Sequence, residues 1–242
     1  MLFGVRVVVV VPAFDEEPRI GRVLRGVPPE VDHVVVVDDR SRDRTAAVAR
    51  DTGDPRVAVV SHEDNRGVGA AIATGYKHAL QWSRDAKDAF VVMAGDGQMD
   101  AADLPALVEP IARGIADYVK GCRFDWPGVR HEMPATRRLG GEVLSWLTSR
   151  AIGVPIRDSQ CGYTALSRSA AERLDLDGLW PSYGYPNDLL GQLARRGLVI
   201  AEVPVRPIYA DEVSRLKPRH LPAIGALIGR AWIRRRASGR NG

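Results

Sequence analysis

Two acidic segments have the residue types and the placement to do chemistry. Pro12-Ala13-Phe14-Asp15-Glu16-Glu17 follows one apolar run, and Asp38-Asp39-Arg40-Ser41-Arg42-Asp43-Arg44-Thr45 follows another. A carboxylate at a strand end accepts hydrogen bonds from a base N–H or from ribose hydroxyls, donors with no charge to repel it. Two neighbouring acids such as Asp38 and Asp39 are costly to hold at a buried strand end without a ligand. Asp15 and Asp43 have a second use open to them, as helix caps, and Asp100 and Asp103 suit the N-cap region of the helix after them. A dinucleotide-binding dehydrogenase needs G-x-G-x-x-G after its first strand; Pro12 stands there instead, which removes that reading.

The elements that must position these residues alternate along the chain. Residues 5–11 form a β-branched run without amphipathic alternation, the pattern of a strand buried on both faces, and the same type recurs at 34–37, 57–60 and 90–93. Helical spacing lies between them at 19–25, 44–51 and 69–83. Strand and helix in alternation predict an α/β fold with a doubly wound, mostly parallel central sheet, whose functional residues belong at the carboxyl ends of the strands. Segments 12–17, 38–45 and 96–100 fall there. The second half is less regular, with helices predicted over 101–113, 138–152 and 188–196, strands near 117–121 and 199–205, a short strand or helix entry at 163–166, and a turn at 158–162. The expected organisation is a domain over 1–212, made of a nucleotide-type half (1–105) and a second half (106–212), with a tail over 213–242.

Composition bounds the class further. The 242 residues are 45% hydrophobic and 26% charged, a globular balance, and no 18-residue apolar stretch exists to span a bilayer. The first apolar run breaks at Pro12, too short for a signal-peptide core. Cys122 and Cys161 are too few for a disulfide framework and read as small buried thiols; His62 and His131 lack partners at metal-ligand spacing and are given no role. Lys and Arg number 34 against 30 Asp and Glu, but eight of the bases and no acid lie in 213–242. The first 212 residues are therefore net acidic, which argues against nucleic-acid binding by the body. In the tail, Leu221, Ile224, Ile228, Ala231 and Trp232 share one side of a helix, and Trp232 followed by Arg234-Arg235-Arg236 suits a headgroup layer. The tail is expected on a membrane surface; a helix packed on the body or on a second subunit of a homo-oligomer is the other reading.

Taken in order, these segments resemble the motifs of the family 2 glycosyltransferases. Residues 12–17 are similar to the family's PAYNE-type opening, with Asp15 where Asn is usual, and 38–45 resemble its DDGSxDGT segment. Asn65-Arg66-Gly67-Val68-Gly69-Ala70-Ala71-Ile72 resembles the NRGxGAA turn, 90–100 the MDADGQHDP metal-binding loop, and 158–163 the DxxxG(F/Y) turn. The resemblance spans residues 5–212 and is nearest the dolichol-phosphate mannosyltransferase-like enzymes, which move a sugar from a nucleotide donor to a polyprenyl phosphate. It implies a GT-A three-layer sandwich, inversion at the anomeric carbon, a GDP-mannose or UDP-hexose donor, and a divalent cation, Mg²⁺ or Mn²⁺. It also implies nucleotide contacts at Pro12, Ala13, Phe14, Glu16, Asp38, Asp39, Arg66, Gly69, Gly95 and Asp96, with the cation on Asp96 and Gln98. Acceptor contacts are implied at Arg123, Arg137, Arg138, Asp158 and Gln160, with Asp188 as candidate base and Asp96 and Arg123 beside it in catalysis. The enzyme would then work as a peripheral protein on the inner face of the cytoplasmic membrane.

One departure bears on the cation. Where the family reads Asp-Ala-Asp-Gly-Gln, this chain reads Ala94-Gly95-Asp96-Gly97-Gln98, leaving Asp96 as the acid at the centre of the motif. Mg²⁺ keeps waters and takes one or two carboxylates plus phosphate oxygens, so one carboxylate suffices when the donor diphosphate supplies the rest. Two alternatives stay open: transfer to the hydroxyl of a soluble molecule or glycan, which would need Asp188 as a base, and an inactive nucleotide-binding homologue.

Overall fold

The computed structural model describes residues 1–208 and 220–238. The first half runs β1 (Val7–Ala13), α1 (Glu17–Arg25), β2 (His33–Asp38), α2 (Thr45–Arg50), β3 (Val57–Ser61), α3 (Val68–Trp82) and β4 (Ala89–Val92). The second half continues with α4 (Leu104–Ala112), β5 (Tyr118–Cys122), α5 (Val129–Glu132), α6 (Ala135–Ile152), β6 (Thr164–Ser167), α7 (Arg168–Arg173), α8 (Tyr185–Arg195), β7 (Ile200–Pro204) and α9 (Leu221–Ser238). The strands form one sheet in the order β3-β2-β1-β4-β6-β5-β7.

The valine runs explain the layers. In β1, Val7, Val9 and Val11 enter the core that holds Ile20 and Leu24 of α1 and Leu107 of α4, while Val8 and Val10 enter the one that holds Ile72 and Tyr76 of α3 and Leu189 of α8. Side chains alternate across a strand, so an unbroken apolar run requires cover on both faces. Each such side chain contributes about 1.5–3 kcal/mol on burial. Helix α3 lies close on the sheet: a Cβ at Gly75 would fall 2.1 Å from Val10 Cγ1.

The sheet is α/β and mostly parallel, as predicted, with one reversal. Strand β6 runs antiparallel to both β4 and β5, pairing Val92 with Thr164 and Lys120 with Thr164. The turn that feeds it is bonded to Arg123, just past the carboxyl end of β5, so β6 starts at that edge and must run back. The helix predicted over 101–113 is a 3₁₀ turn (Ala101–Asp103), with Asp100 accepting from Ala102 N at 3.0 Å, followed by α4. Short helices α5 and α7 have no counterpart in the sequence reading.

The tail differs more. Helix α9 packs against α6 and α8, burying Ile224, Leu227 and Ala231. Of the five residues assigned to a lipid-facing side, Ile224 and Ala231 are thereby taken by the body and Ile228 packs beside them, while Leu221 and Trp232 remain exposed. The boundary at 212/213 and the bases Arg215, Lys217, Arg219 and Arg240 lie outside the described residues.

Candidate active site

The loops after β1 and β2 interlock. Asp15, with φ +53°, accepts Arg42 N at 2.7 Å and donates its own N–H to Ser41 Oγ at 3.0 Å. Asp43 accepts from Glu17 N and Thr45 N, and Glu17 from Arg44 N, so the acids at 15, 17 and 43 hold backbone donors at loop and helix starts. Burial pushes the Asp43 carboxyl up, but its bonds from Thr45 and Glu17 prevail and hold it below the ordinary range. Glu16 is buried, takes Thr45 Oγ1 on its N–H at 2.7 Å and pairs with Arg19 at 3.0 Å. Phe14 carries the Arg42 guanidinium 5.9 Å from its ring centre.

Asp38 and Asp39 are both buried but differ in what they hold. Asp38 accepts Ser41 N at 3.3 Å. Asp39 accepts Arg66 N at 2.8 Å and Gly67 N at 2.7 Å, one on each oxygen, and binds His62 Nδ1 at 2.7 Å; its carbonyl accepts from Asn65 Nδ2. Asp39 is therefore a clamp on the Asn65–Gly67 turn. His62, given no role from the sequence, bridges it to Thr74 Oγ1 at 2.9 Å. Gly69, expected at the nucleotide, donates its N–H to Pro181 O at 2.8 Å, and a Cβ there would lie 2.1 Å from Trp180 O. The start of α3 is thus covered by residues 180–182.

The loop after β4 joins these. Gly95 N donates to Pro12 O at 3.1 Å, and a Cβ at Gly95 would stand 3.3 Å from Ala13 Cβ, so the first and fourth strand ends touch. Gly97 sits at φ +77°, a left-handed turn that glycine adopts without strain, and Asp96 Oδ1 accepts Gln98 N at 3.0 Å. A Cβ at Gly162 would lie 3.3 Å from Met99 Cε and 3.4 Å from Tyr185 Oη, marking where this loop, the 158–163 turn and the start of α8 converge.

The second half builds a charged cluster beneath that point. Arg123 donates to the fully buried Asp158 from Nε at 2.7 Å, Nη2 at 2.9 Å and its backbone N–H at 3.1 Å. Glu202 accepts Arg157 N and Asp158 N, and the fully buried Lys120 donates to Cys161 O. Burial pushes the Asp158 carboxyl up; Arg123 and Lys120 together outweigh it and hold the group below the ordinary carboxylate range. Burial lowers Lys120, with Asp158 and Glu202 opposing. Gln160 bonds Asn187 Oδ1 at 3.1 Å, and Asn187 bonds Thr148 at 2.7 Å. Asp188, the candidate base, is buried in the first turn of α8 and accepts Trp180 N at 3.1 Å. Arg137 and Arg138 lie in the first turn of α6, Arg138 3.7 Å from Glu142. Gly141, in the following turn, backs onto Phe124, the neighbour of Arg123.

The family model for "Glycosyl transferase family 2" matches residues 8–175, more than half of the chain. The chain belongs to glycosyl transferase family 2. This glycosyltransferase is 30% identical over 217 residues to the UDP-N-acetylglucosamine–dolichyl-phosphate N-acetylglucosaminyltransferase of Methanococcus voltae, covering 84% of this chain and 85% of that one. It is 32% identical over 211 residues to the undecaprenyl-phosphate mannosyltransferase of Micrococcus luteus (83% and 82% covered), and 30% identical over 208 residues to the polyprenol monophosphomannose synthase of Mycolicibacterium smegmatis (83% and 76%). Among solved structures it matches the glucosyl-3-phosphoglycerate synthase of Mycobacterium tuberculosis in complex with Mn²⁺, UDP and glucosyl-3-phosphoglycerate, with TM-score 0.64 and 25% identity over 94% of this chain and 77% of that one.

For a cation, the 94–98 loop carries one carboxylate, Asp96, with the amide of Gln98 two residues on. That donor set fits an ion taking its remaining ligands from a diphosphate and water. Among the described residues no group of three or more His, Cys, Asp or Glu is placed to hold a metal alone, and no helix is long and apolar enough to cross a membrane. Lys120, Glu202, His62 and Asn187 escaped the sequence reading. A lysine inside a strand otherwise filled by core residues is the one signal that marked any of them.

Proposed function

We propose that the protein is an inverting glycosyltransferase that moves a hexose from a GDP- or UDP-sugar to a polyprenyl phosphate. The observation that carries this reading is the near full-length match, at 30–32% identity, to transferases named for dolichyl, polyprenol and undecaprenyl phosphate acceptors. The first-half loops would take the donor: Asp38 and the 12–16 segment the nucleoside, and the 95–98 turn the diphosphate. Asp96 and Gln98 would hold Mg²⁺ or Mn²⁺, which supplies charge stabilisation for the departing diphosphate when bound.

The acceptor phosphate oxygen is anionic near neutral pH, so the chain needs to align it opposite the leaving group rather than deprotonate it. Arg137 and Arg138 are the arginines offered to it, and Arg123, joined to Asp158, fixes the floor of that half. Arginine donors match phosphate geometry and keep their charge. Asp188 would be needed as a base only for a hydroxyl acceptor. The C-terminal segment would keep the enzyme peripheral on the inner membrane face.

Sugar nucleotides incubated one at a time with polyprenyl phosphate and a divalent cation, with label followed into the lipid phase, test the reading. Label in lipid supports it. No label in lipid, with label entering 3-phosphoglycerate in a parallel incubation, favours the alternative, for which the relevant observation is the glucosyl-3-phosphoglycerate held by the structural neighbour.

A further inference from the structure

Helix α6 carries Leu139, Val143, Trp146 and Leu147 at positions i, i+4, i+7 and i+8, a single helical face. All four are exposed, between 39% and 63%. On α9, packed against α6, Trp232 and Ile233 are exposed as well. Soluble monomers seldom leave such a contiguous apolar patch open without a partner for it. Between the two helices lies an open cavity of about 690 Å³ lined by Trp146, Ser149, Arg150, Trp232, Arg235 and Arg236.

Charge near this apolar surface is mainly positive, and the acid on its α6 side, Glu142, lies 3.7 Å from Arg138. The two helices hold seven arginines and one glutamate. The Arg236 guanidinium sits 3.8 Å from the Trp232 ring centre and that of Arg150 5.5 Å from Trp146, so each tryptophan of the cavity carries a cation on its face. Arg235 donates to Arg150 O at 3.0 Å, tying the helices together at the cavity wall.

We infer that α6 and α9 together form a membrane-docking face, and that the Trp146–Trp232 cavity is a seat for the phosphate headgroup of an anionic lipid. Tryptophan with arginine is the composition of a bilayer interface: the rings and the Leu139–Leu147 stripe enter the acyl boundary while guanidinium groups stay with the phosphates. The inference goes beyond the reading above, which puts only the C-terminal segment on a membrane, and it needs no catalysis.

The full chain is floated with vesicles of phosphatidylcholine alone or mixed with phosphatidylglycerol, free of polyprenyl phosphate and donor. The expected result is flotation with the anionic vesicles, lost in high salt. Arg150→Glu with Arg236→Glu should reduce binding at least tenfold, as should Trp146→Glu, while Arg150→Lys with Arg236→Lys keeps it; circular dichroism verifies the fold of each. Brominated acyl chains should quench tryptophan emission, and less so in Trp146→Phe. Several outcomes overturn the inference: no flotation, equal flotation of the charge-reversed chain, inorganic phosphate at millimolar level displacing the protein from vesicles, or a dimer in solution that Trp146→Glu dissociates. A chain that glycosylates polyprenyl phosphate in detergent yet ignores vesicles sinks this inference and leaves the proposed activity standing.

Discussion

Arg123 and Asp158, 35 positions apart, meet through two parallel contacts, Nε to Oδ2 at 2.7 Å and Nη2 to Oδ1 at 2.9 Å. The carboxylate is fully buried, and its Oδ1 also accepts from the N–H of Cys161 at 3.1 Å. The pair therefore joins the end of β5 to the turn that starts β6. A two-point guanidinium contact fixes orientation as well as distance, so the acceptor half gains a rigid floor.

Asp158→Asn removes the charge and keeps the size, taking away the carboxylate that Arg123 grips. Breaking a buried pair in this way costs about 3–5 kcal/mol, read by chemical denaturation at neutral pH. The folded-state carboxyl is depressed, so its contribution is fully present above the unfolded value of about 4 and fades as pH falls through the lower folded value. The gap between wild type and variant should narrow below about pH 4; a gap that stays constant there refutes the assignment.

Asp38 and Asp39 should separate in their effects. Asp39→Ala strips acceptors from two backbone N–H groups, each charge-assisted bond being worth about 1.5–3 kcal/mol, and should lower both thermal stability and donor affinity. Asp38→Ala should weaken GDP or UDP binding in calorimetric titration with little change in melting. Equal loss of stability in both variants would contradict this.

For the cation, Asp96→Ala should abolish transfer and excess EDTA should silence the wild type. Ala94→Asp adds a second carboxylate to the loop and should lower the Mn²⁺ concentration giving half-maximal rate. Undiminished turnover in EDTA would remove the cation from the proposal.

Gly69→Ala places a Cβ 2.1 Å from Trp180 O and 2.9 Å from Tyr185 Cβ. Backbone must move at both elements, at a cost of about 1–3 kcal/mol. Because Asp188 accepts Trp180 N, the shift should reach the first turn of α8 and lower the melting temperature. A variant with wild-type melting would show that the 180–182 cover is dispensable.

Ending the chain at Lys217 removes α9 and bares the surface under Ile224 and Leu227. Burying two such side chains contributes about 3–6 kcal/mol, so the shortened chain should melt lower whether or not a membrane is present. Equal melting of the two chains would mean that α9 does not pack as described.

Much of the donor half was legible in the sequence. Valine runs without alternation specify strands covered on both sides, and strands separated by helices specify parallel neighbours, so the carboxyl-edge positions of 12–17, 38–45 and 96–100 followed from patterns within about ten residues of one another. The family motifs lay on those same loops. What the sequence did not hold was the pairing of polar groups brought together by folding. Folding sets the Arg123 guanidinium on Asp158, 35 positions away, and the Asp39 carboxylate on the backbone of Arg66 and Gly67, contacts that the motifs alone do not show. Lys120 and Cys161, 41 positions apart, share a bond no local window can show. The same holds for α9, whose apolar side was plain in the sequence although nothing local says whether it faces lipid or protein. Periodicity records which face of an element is apolar; only the tertiary contacts decide what covers it and which buried charge finds which partner, because burial makes an unsatisfied group costly wherever in the chain its partner lies.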